Sequence, residues 1–265
     1  MTKDRLLNVS IAGCGNIGTR LSGFIKNELD GKARLVAVSD INEKRTKMVV
    51  EKLASSVRVL KTEQLPAESD LVIESAEPNI VFPLARKCLE SNTHFMVLSI
   101  GGLINHFEVL DEFKRKGLKL YLPSGAICGL DGVKAARESS IDEAVLTTFK
   151  PPYSLAGAPG LKDVSGLREK TVVFEGDVNE AVKLFPKNIN IAALLSIYLR
   201  ENKLKVKIIA DPSLDCNMHN IQLRGDFGKI DITCENLHSP DNPKTSLLAV
   251  LSAQATLKEA VEELS

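Results

Sequence analysis

Short apolar runs rich in β-branched residues alternate with amphipathic stretches through the first half of the chain. The first run, 6–13, is followed by a stretch in which Leu21, Phe24, Ile25 and Leu29 recur at helical spacing. The alternation continues, with predicted strands at 6–13, 33–40, 71–76, 94–100 and 118–125 and predicted helices at 41–56, 78–91 and 105–116. Such elements form βαβ units with right-handed crossovers. The pattern therefore predicts an α/β fold with a doubly wound parallel sheet.

The pattern changes after about residue 125, where strand-like runs follow one another with few helices between them. The predicted strands lie at 144–152, 171–176, 205–212, 218–228 and 229–236, and the predicted helices at 178–184 and 190–202. We expect a first domain over 1–122, completed by a long amphipathic C-terminal helix at 244–265, and a second α+β domain over 123–243 that binds substrate. Because strands in this second domain would otherwise leave an exposed edge or an apolar face, we also expect a homodimer.

The composition is that of an ordinary globular protein, with 44% apolar and 26% charged residues over 265 positions. This length allows one large domain or two modest ones. Lys plus Arg and Asp plus Glu both number 34, so the formal net charge is zero. A protein that binds the phosphate backbone normally carries a basic excess or a basic stripe. Nucleic acid is therefore not an expected partner.

The five cysteines are scattered and include no C-x-x-C pair. An odd number without paired spacing is typical of a reduced, cytoplasmic protein and favours neither a disulfide framework nor a zinc site. The longest apolar runs, 8–13 and 96–103, are much shorter than a membrane span, and the N-terminal residues lack the pattern of a signal peptide. We expect a cytoplasmic protein with no membrane partner and no metal.

A glycine-rich motif, GCGNIG at 13–18, lies between the first predicted strand and the first predicted helix. In a Rossmann domain its glycines allow a tight turn, close approach of a pyrophosphate and close packing of the helix, whose N-terminus attracts negative charge. Asp40 ends the second predicted strand, 22 residues after Gly18, where an acidic residue would bind the adenosine ribose hydroxyls. This context favours a nicotinamide dinucleotide over an ordinary turn. The expected loop contacts are Gly13, Gly15, Asn16, Ile17 and Gly18.

The charges around Asp40 bear on the choice between NAD and NADP. A carboxylate that binds the ribose diol repels a 2′-phosphate, so NAD should bind at least as well as NADP. Lys44 and Arg45 follow closely enough in the sequence to soften that repulsion. Use of both cofactors is compatible with this pattern.

Small residues end three of the later predicted strands, at 74–76, 99–102 and 124–126. Ligands of an open parallel sheet sit beyond the carboxyl ends of its strands. We therefore expect a cofactor crevice lined by Ser75, Ala76, Ser99 and Ala126. The alternative, that these residues only form tight turns, stays open.

Polar residues in the second half concentrate in short motifs. Asn188 and Asn190 lie around a predicted helix start, where an amide either caps the helix or binds a carboxamide. Lys244, Thr245 and Ser246 lie at the start of the last predicted helix, a position that favours an anion. Either motif could instead serve only the structure of its helix start.

His219 is the histidine that lies in this motif-dense region, within a strand-like run. A lone histidine is more often structural than catalytic, and no second His or Cys stands at a metal-ligand spacing from it. Lys150, followed by two prolines, is either a solvated side chain or a further cation of the site. The residues alone leave both alternatives open.

Several runs taken together resemble the L-aspartate dehydrogenase family. With GCGNIG they occur in the family's order over nearly the whole chain, at 124–131, 150–152, 170–176, 185–192, 210–219 and 242–246. The resemblance implies a Rossmann domain joined to a substrate domain whose sheet helps to form a homodimer. It also implies oxidation of L-aspartate by NAD or NADP to iminoaspartate, which hydrolyses to oxaloacetate and ammonia. Iminoaspartate could in turn supply the biosynthesis of NAD.

The resemblance also suggests roles for individual residues. The histidine of the family's N-x-H motif corresponds to His219, its S-G-A alanine to Ala126, and its cofactor-binding asparagine to Asn190 or, as second choice, Asn188. We assign acid/base catalysis to His219, because an imidazole ordinarily titrates near neutral pH. A dicarboxylate substrate requires at least two cationic or dipolar anchors. The candidates by position are Lys187, Arg224, Lys244, Thr245 and Ser246.

Two other classes of protein share parts of this pattern. A reductase of the dihydrodipicolinate reductase or homoserine dehydrogenase type would use the same Rossmann half, and only the motifs of the second half distinguish it. A non-catalytic protein that senses a dinucleotide would keep the glycine motif without requiring the motif that contains His219. The second-half motifs favour the aspartate enzyme over both.

Overall fold

The structure is a computed structural model that describes residues 5–53, 57–157, 159, 166–185, 189–200, 204–240 and 242–265, without the side chains of Pro243 and Lys244. The chain forms two compact units. Unit 1 comprises 1–123 and 250–265, and unit 2 comprises 124–249.

Unit 1 is built on a six-stranded parallel sheet. Its strands are β1 (Leu7–Ala12), β2 (Ala33–Ser39), β3 (Arg58–Val59), β4 (Leu71–Glu74), β5 (His94–Val97) and β6 (Leu120–Tyr121). They are ordered β3-β2-β1-β4-β5-β6, so the sheet changes direction of winding between β1 and β4. This is the strand order of the Rossmann fold, in which ligands bind at that switch point. The predicted α/β fold class is confirmed.

Helices of unit 1 pack their apolar faces against the sheet. They are α1 (Asn16–Glu28), α2 (Glu43–Leu53), α3 (Pro78–Ser91), α4 (Glu108–Arg115) and α8 (Leu247–Leu264). Leu21 and Ile25 of α1 and Leu257 and Val261 of α8 are buried in one apolar cluster with Val9 of β1. Burial of this kind stabilises by roughly 1.5–3 kcal/mol per large side chain.

Unit 2 contains a five-stranded mixed sheet. Its strands are β7 (Ile141–Lys150), β8 (Thr171–Asp177), β9 (Leu204–Ala210), β10 (Asn217–Gly225) and β11 (Gly228–Asn236). The order is β11-β10-β7-β9-β8; β7 and β9 are parallel and the other pairs antiparallel. The shorter elements of unit 2 are α5 (Leu130–Ala136), α6 (Val178–Leu184), α7 (Asn190–Leu199), β12 (His238–Ser239) and β13 (Asn242–Ser246).

The two faces of this second sheet differ in character. Because side chains alternate along a strand, Leu146, Val206, Ile221 and Leu223 share one face, where they are buried. We call this the covered face. Polar and charged side chains such as Arg224 occupy the other face, which we call the open face.

The last helix begins later than the sequence predicted. Residues 242–246 form β13, which pairs with β12, and α8 starts only at Leu247. The apolar repeat of the helix itself starts at Leu247, and the polar residues before it resemble a helix start because such residues often begin helices. Thr245 and Ser246 therefore belong to a strand and do not lie within the first turn of a helix.

Candidate functional site

The loop between β1 and α1 has a geometry that requires glycine at two positions. Gly13 has φ +100°, and a Cβ there would lie 2.5 Å from the carbonyl oxygen of Ser75. A Cβ at Gly18 would overlap the carbonyl oxygen of Gly13 and lie 2.6 Å from Ser75 Oγ. These two glycines let the loop, α1 and the end of β4 pack closely together.

Gly15 differs from Gly13 and Gly18, the other two glycines of the motif. A Cβ at Gly15 would meet no atom of the described residues within 4 Å, so space is open beside the backbone at this point. Gly15 is also the N-cap residue of α1, and a glycine brings no side-chain oxygen to the first N–H groups of that helix. Open space at an uncapped helix N-terminus fits a dinucleotide pyrophosphate.

Asp40 follows β2 and braces the glycine loop. Its Oδ2 accepts a hydrogen bond from Cys14 N at 2.7 Å, and its Oδ1 accepts one from Asn42 N at 2.7 Å. The Asp40 side chain is only 6% exposed, and Arg45 Nη1 lies 4.0 Å from Oδ2. Each carboxylate oxygen has a second lone pair, so binding of a ribose diol is compatible with these contacts. The bracing role was not predicted from the sequence.

The ends of β4 and β5 are held together by a buried carboxylate, Glu74. Its Oε1 accepts from Ala76 N at 2.7 Å and its Oε2 from Ser99 N at 2.8 Å. Burial raises the pKa of Glu74, opposed by these hydrogen bonds. Ser75 Oγ in turn donates to Gly13 O at 2.7 Å. The structure thus brings together Ser75, Ala76, Ser99 and the glycine loop, whereas Glu74 itself was not singled out.

His219 lies on the covered face of the second sheet. It is opposite Thr148 of β7 and opposite Cys234 of β11, and it is 6% exposed. Its Nδ1 is 3.0 Å from Thr148 Oγ1, a hydrogen bond within the buried part of unit 2. The imidazole is therefore held by neighbouring strands, which fixes its orientation.

Lys150 shares the covered face with His219, because it is two residues from Thr148 on the same strand. It is 8% exposed, so the solvated alternative for this side chain is wrong. Burial lowers the pKa of Lys150 to about 8. Burial, and secondly the charge of Lys150, lower the pKa of His219 to about 3. The expected titration of His219 near neutral pH is therefore not found in this structure.

Two asparagines extend the same polar area. Asn217 of β10 and Asn236 of β11 are opposite each other, and both are buried. Asn236 Nδ2 donates to Ala126 O at 3.0 Å, which connects the predicted residue Ala126 to this area. Neither Oδ1 has a hydrogen-bond partner among the described residues. Buried acceptors of this kind require a ligand or water. We refer to Thr148, Lys150, Asn217, His219 and Asn236 as the His219 cluster.

The remaining predicted site residues are distributed differently. Arg224 is on the open face, opposite to that of His219, with its side chain 61% exposed and Nε 3.7 Å from Glu143 Oε2. This position removes Arg224 from the candidate substrate ligands. Asn190 is the first residue of α7, as predicted. Lys187 and Asn188, and the side chain of Lys244, lie outside the described residues. Thr245 Oγ1 accepts from Asn242 Nδ2 at 3.1 Å.

Within the described ranges, no three His, Cys, Asp or Glu side chains are grouped so that they could hold a metal ion. None of the helices in the part of the chain that the structure describes is both long and apolar enough to cross a bilayer.

Comparison with known proteins agrees with both halves of this description. Residues 13–123 match the family model described as homoserine dehydrogenase, NAD binding domain, and residues 131–260 match the one described as aspartate dehydrogenase, C-terminal. L-Aspartate dehydrogenase of Methanosarcina acetivorans is 41% identical, over 96% of this chain and 97% of that protein. That of Nitrosopumilus maritimus is 36% identical over 95% of both.

A solved structure supports the same assignment. Aspartate dehydrogenase from Thermotoga maritima superposes with a TM-score of 0.76 at 30% identity, covering 97% of each chain. The Rossmann sheet and its open glycine loop, together with these matches, define a nicotinamide-dinucleotide-dependent oxidoreductase. Among such enzymes, this chain belongs to the L-aspartate dehydrogenase family.

Proposed function

We propose that this chain oxidises L-aspartate, with NAD or NADP as the hydride acceptor, to iminoaspartate, which water converts to oxaloacetate and ammonia. The observation that carries the proposal is the His219 cluster, a buried imidazole and a buried ammonium on one sheet face within the region that matches the aspartate dehydrogenase C-terminal family. Family membership over nearly the full length supports it.

The first unit supplies the cofactor site. When bound, the nicotinamide ring supplies the acceptor for the hydride that leaves the substrate α-carbon. The loop 13–18 and the N-terminus of α1 would hold the pyrophosphate, and Asp40 the adenosine ribose hydroxyls. Ser75, Ala76 and Ser99 of the same unit would line the cofactor site.

The second unit supplies the group that moves protons. The α-ammonium of aspartate must lose one proton before hydride departure can leave an iminium carbon. His219 is neutral in this structure and so has a lone pair with which to accept that proton. Water then adds to the iminium carbon, its two protons pass to the nitrogen, and the C–N bond breaks to release an ammonium ion. One hydride leaves with the cofactor, and one proton is released to solvent through His219.

A spectrophotometric assay tests the proposal. The purified chain should form NADH or NADPH from L-aspartate and should oxidise NADH with oxaloacetate and ammonia. Activity with L-homoserine and none with L-aspartate would overturn the proposal in favour of the homoserine dehydrogenase type. Dinucleotide binding without turnover of either substrate would favour a sensing protein.

We also propose that the enzyme is a cytoplasmic homodimer. The open face of the second sheet supports the dimer, because it presents Val172, 57% exposed, on β8 and hydrogen-bonded polar side chains such as Asn220 and Asp231 on β10 and β11. A sheet face that carries both apolar and polar side chains suits a two-fold contact between identical copies. The five cysteines are all free thiols, in keeping with a reducing compartment. Light scattering at micromolar concentration should give the mass of a dimer, and the mass of a monomer would contradict it.

A further inference from the structure

We propose that Lys150 binds a carboxylate of the substrate beside His219. This inference rests on the proposed function, because it takes the substrate to be a dicarboxylic amino acid. The sequence gives the carboxylate-binding role to other residues and predicts Lys150 as either a solvated side chain or a further cation of the site.

The register of the second sheet carries the first step of the argument. The other lysines and arginines of the five strands, all described, are on the open face: Lys205, Lys207, Arg224 and Lys229. Lys150 is the one Lys or Arg of those strands on the covered face, where His219 is also located. Among the cations of these strands, Lys150 is therefore the one that shares a face with His219, where a dicarboxylate would bind.

The burial of Lys150 also indicates a bound carboxylate. An ammonium group that is removed from water loses solvation free energy, and the lowered pKa of Lys150 reflects this loss. A bound carboxylate would restore the lost stabilisation through a charge-assisted hydrogen bond. A buried lysine whose pKa is lowered by burial, on the same sheet face as a buried histidine, is typical of a ligand site.

The two buried asparagines provide an independent indication of the ligand. The Oδ1 atoms of Asn217 and Asn236 are acceptors without a partner among the described residues. Acceptors suit the ammonium group of an amino acid, and the lysine suits its carboxylate. The His219 cluster thus offers both kinds of group that an α-amino acid requires.

Binding of the carboxylate also affects His219. The charge of Lys150 contributes to the lowered pKa of His219. A carboxylate paired with Lys150 offsets that charge and raises the pKa of His219 towards the working pH, where proton transfer is most effective. Substrate binding would thus prepare the base for its reaction.

Succinate is a suitable probe, since it has two carboxylates and no amine to oxidise. Its binding to the full-length protein with NADH present is measured by calorimetry for the wild type, Lys150→Met, Lys150→Arg and the control Lys183→Met, which changes an exposed lysine of α6. We expect Kd to rise about 10²- to 10³-fold in Lys150→Met, the usual effect of removing one member of a buried charge pair. Lys150→Arg should retain most of the affinity, and Lys183→Met all of it. KM for L-aspartate should follow Kd.

Two results would overturn the inference. One is unchanged succinate affinity in Lys150→Met; the other is a loss of kcat with unchanged KM and Kd, which would make Lys150 a proton-transfer residue instead. If Lys150→Met does not fold, Lys150→Gln repeats the test with a polar side chain. A wild-type chain that binds succinate through Lys150 but forms no NADH from L-aspartate would overturn the proposed function and leave the carboxylate site standing.

Discussion

His219 of β10 lies directly opposite Thr148 of β7, and His219 Nδ1 and Thr148 Oγ1 are 3.0 Å apart. The imidazole is thereby fixed by a strand that precedes it by 71 residues in the chain. Two adjacent strands position the ring, as expected for a group that must meet a reacting atom accurately.

Removal of the imidazole should separate catalysis from folding. We expect His219→Ala to lower kcat on L-aspartate by roughly 10²–10⁴-fold, the usual contribution of a positioned acid/base group, with NADH affinity unchanged. Thr148→Val removes only the hydrogen bond to Nδ1 and should have a smaller effect on kcat. A purely structural histidine would behave differently: the variant would lose about 1 kcal/mol or more of stability yet keep its turnover per folded molecule. Measurement of kcat, NADH affinity and Tm on one preparation distinguishes the two.

The glycine motif permits a matched comparison of two substitutions. Gly15→Ala places a methyl group in open space, so the Tm should hold while the Kd for NADH rises about tenfold, which corresponds to a loss of about 1.4 kcal/mol of binding free energy. Gly18→Ala places the methyl group against Gly13 O and Ser75 Oγ and should lower stability by roughly 1–3 kcal/mol or more. Thermal melting and NADH titration of both variants check this. Equal losses of Tm in the two would show that Gly15 also serves packing.

The buried imidazole should make stability sensitive to acid. The pKa of His219 is lowered to about 3, chiefly by burial, whereas an unfolded histidine titrates near pH 6.5. Between these values the unfolded chain binds a proton that the folded chain does not, so the free energy of unfolding falls as the pH drops. At pH 4.5 the loss from this one group is about 3 kcal/mol. Denaturant unfolding at pH 7 and pH 4.5 should therefore show a smaller acid loss in His219→Gln than in the wild type; equal losses would contradict the burial of a neutral ring.

The surroundings of Asp40 predict how the two cofactors are distinguished. Arg45 is the cation beside the Asp40 carboxylate, so it is placed to offset the repulsion of a 2′-phosphate. Arg45→Ala should weaken NADP binding about tenfold and change NAD binding by less than about twofold, since one rim charge contributes on the order of 1 kcal/mol. Dissociation constants for both cofactors check this. A marked preference of the wild type for NADP would overturn the role given to Asp40.

The sequence predicts those parts of the fold that local pattern controls. Helix α3, for example, is predicted at 78–91 and observed at Pro78–Ser91, because its apolar periodicity and its position between two buried strands are both local. Strand β3 was missed because it has two residues, both exposed, and so no apolar pattern. The glycine loop could be predicted because its close contacts allow no other residue at Gly13 and Gly18.

The candidate site was less accessible to such reasoning. The burial of Lys150 depends on the pairing of β7 with β10, which no local pattern specifies. Arg224 and His219 lie on the same strand, and their positions differ by an odd number of residues, so their side chains are on opposite faces of the sheet. The predicted strand at 218–228 already implies this difference. Asn236 could be recognised only once its contact with Ala126 O was known.

The most direct test of the proposed reaction follows the hydride itself. L-Aspartate deuterated at the α-carbon is incubated with the enzyme and NAD, and the NADH and oxaloacetate formed are quantified by mass spectrometry. The proposal predicts deuterated NADH in equal amount to oxaloacetate, because the hydride leaves the α-carbon directly for the cofactor. NADH without deuterium, or no NADH at all from a protein that binds the cofactor, would contradict it.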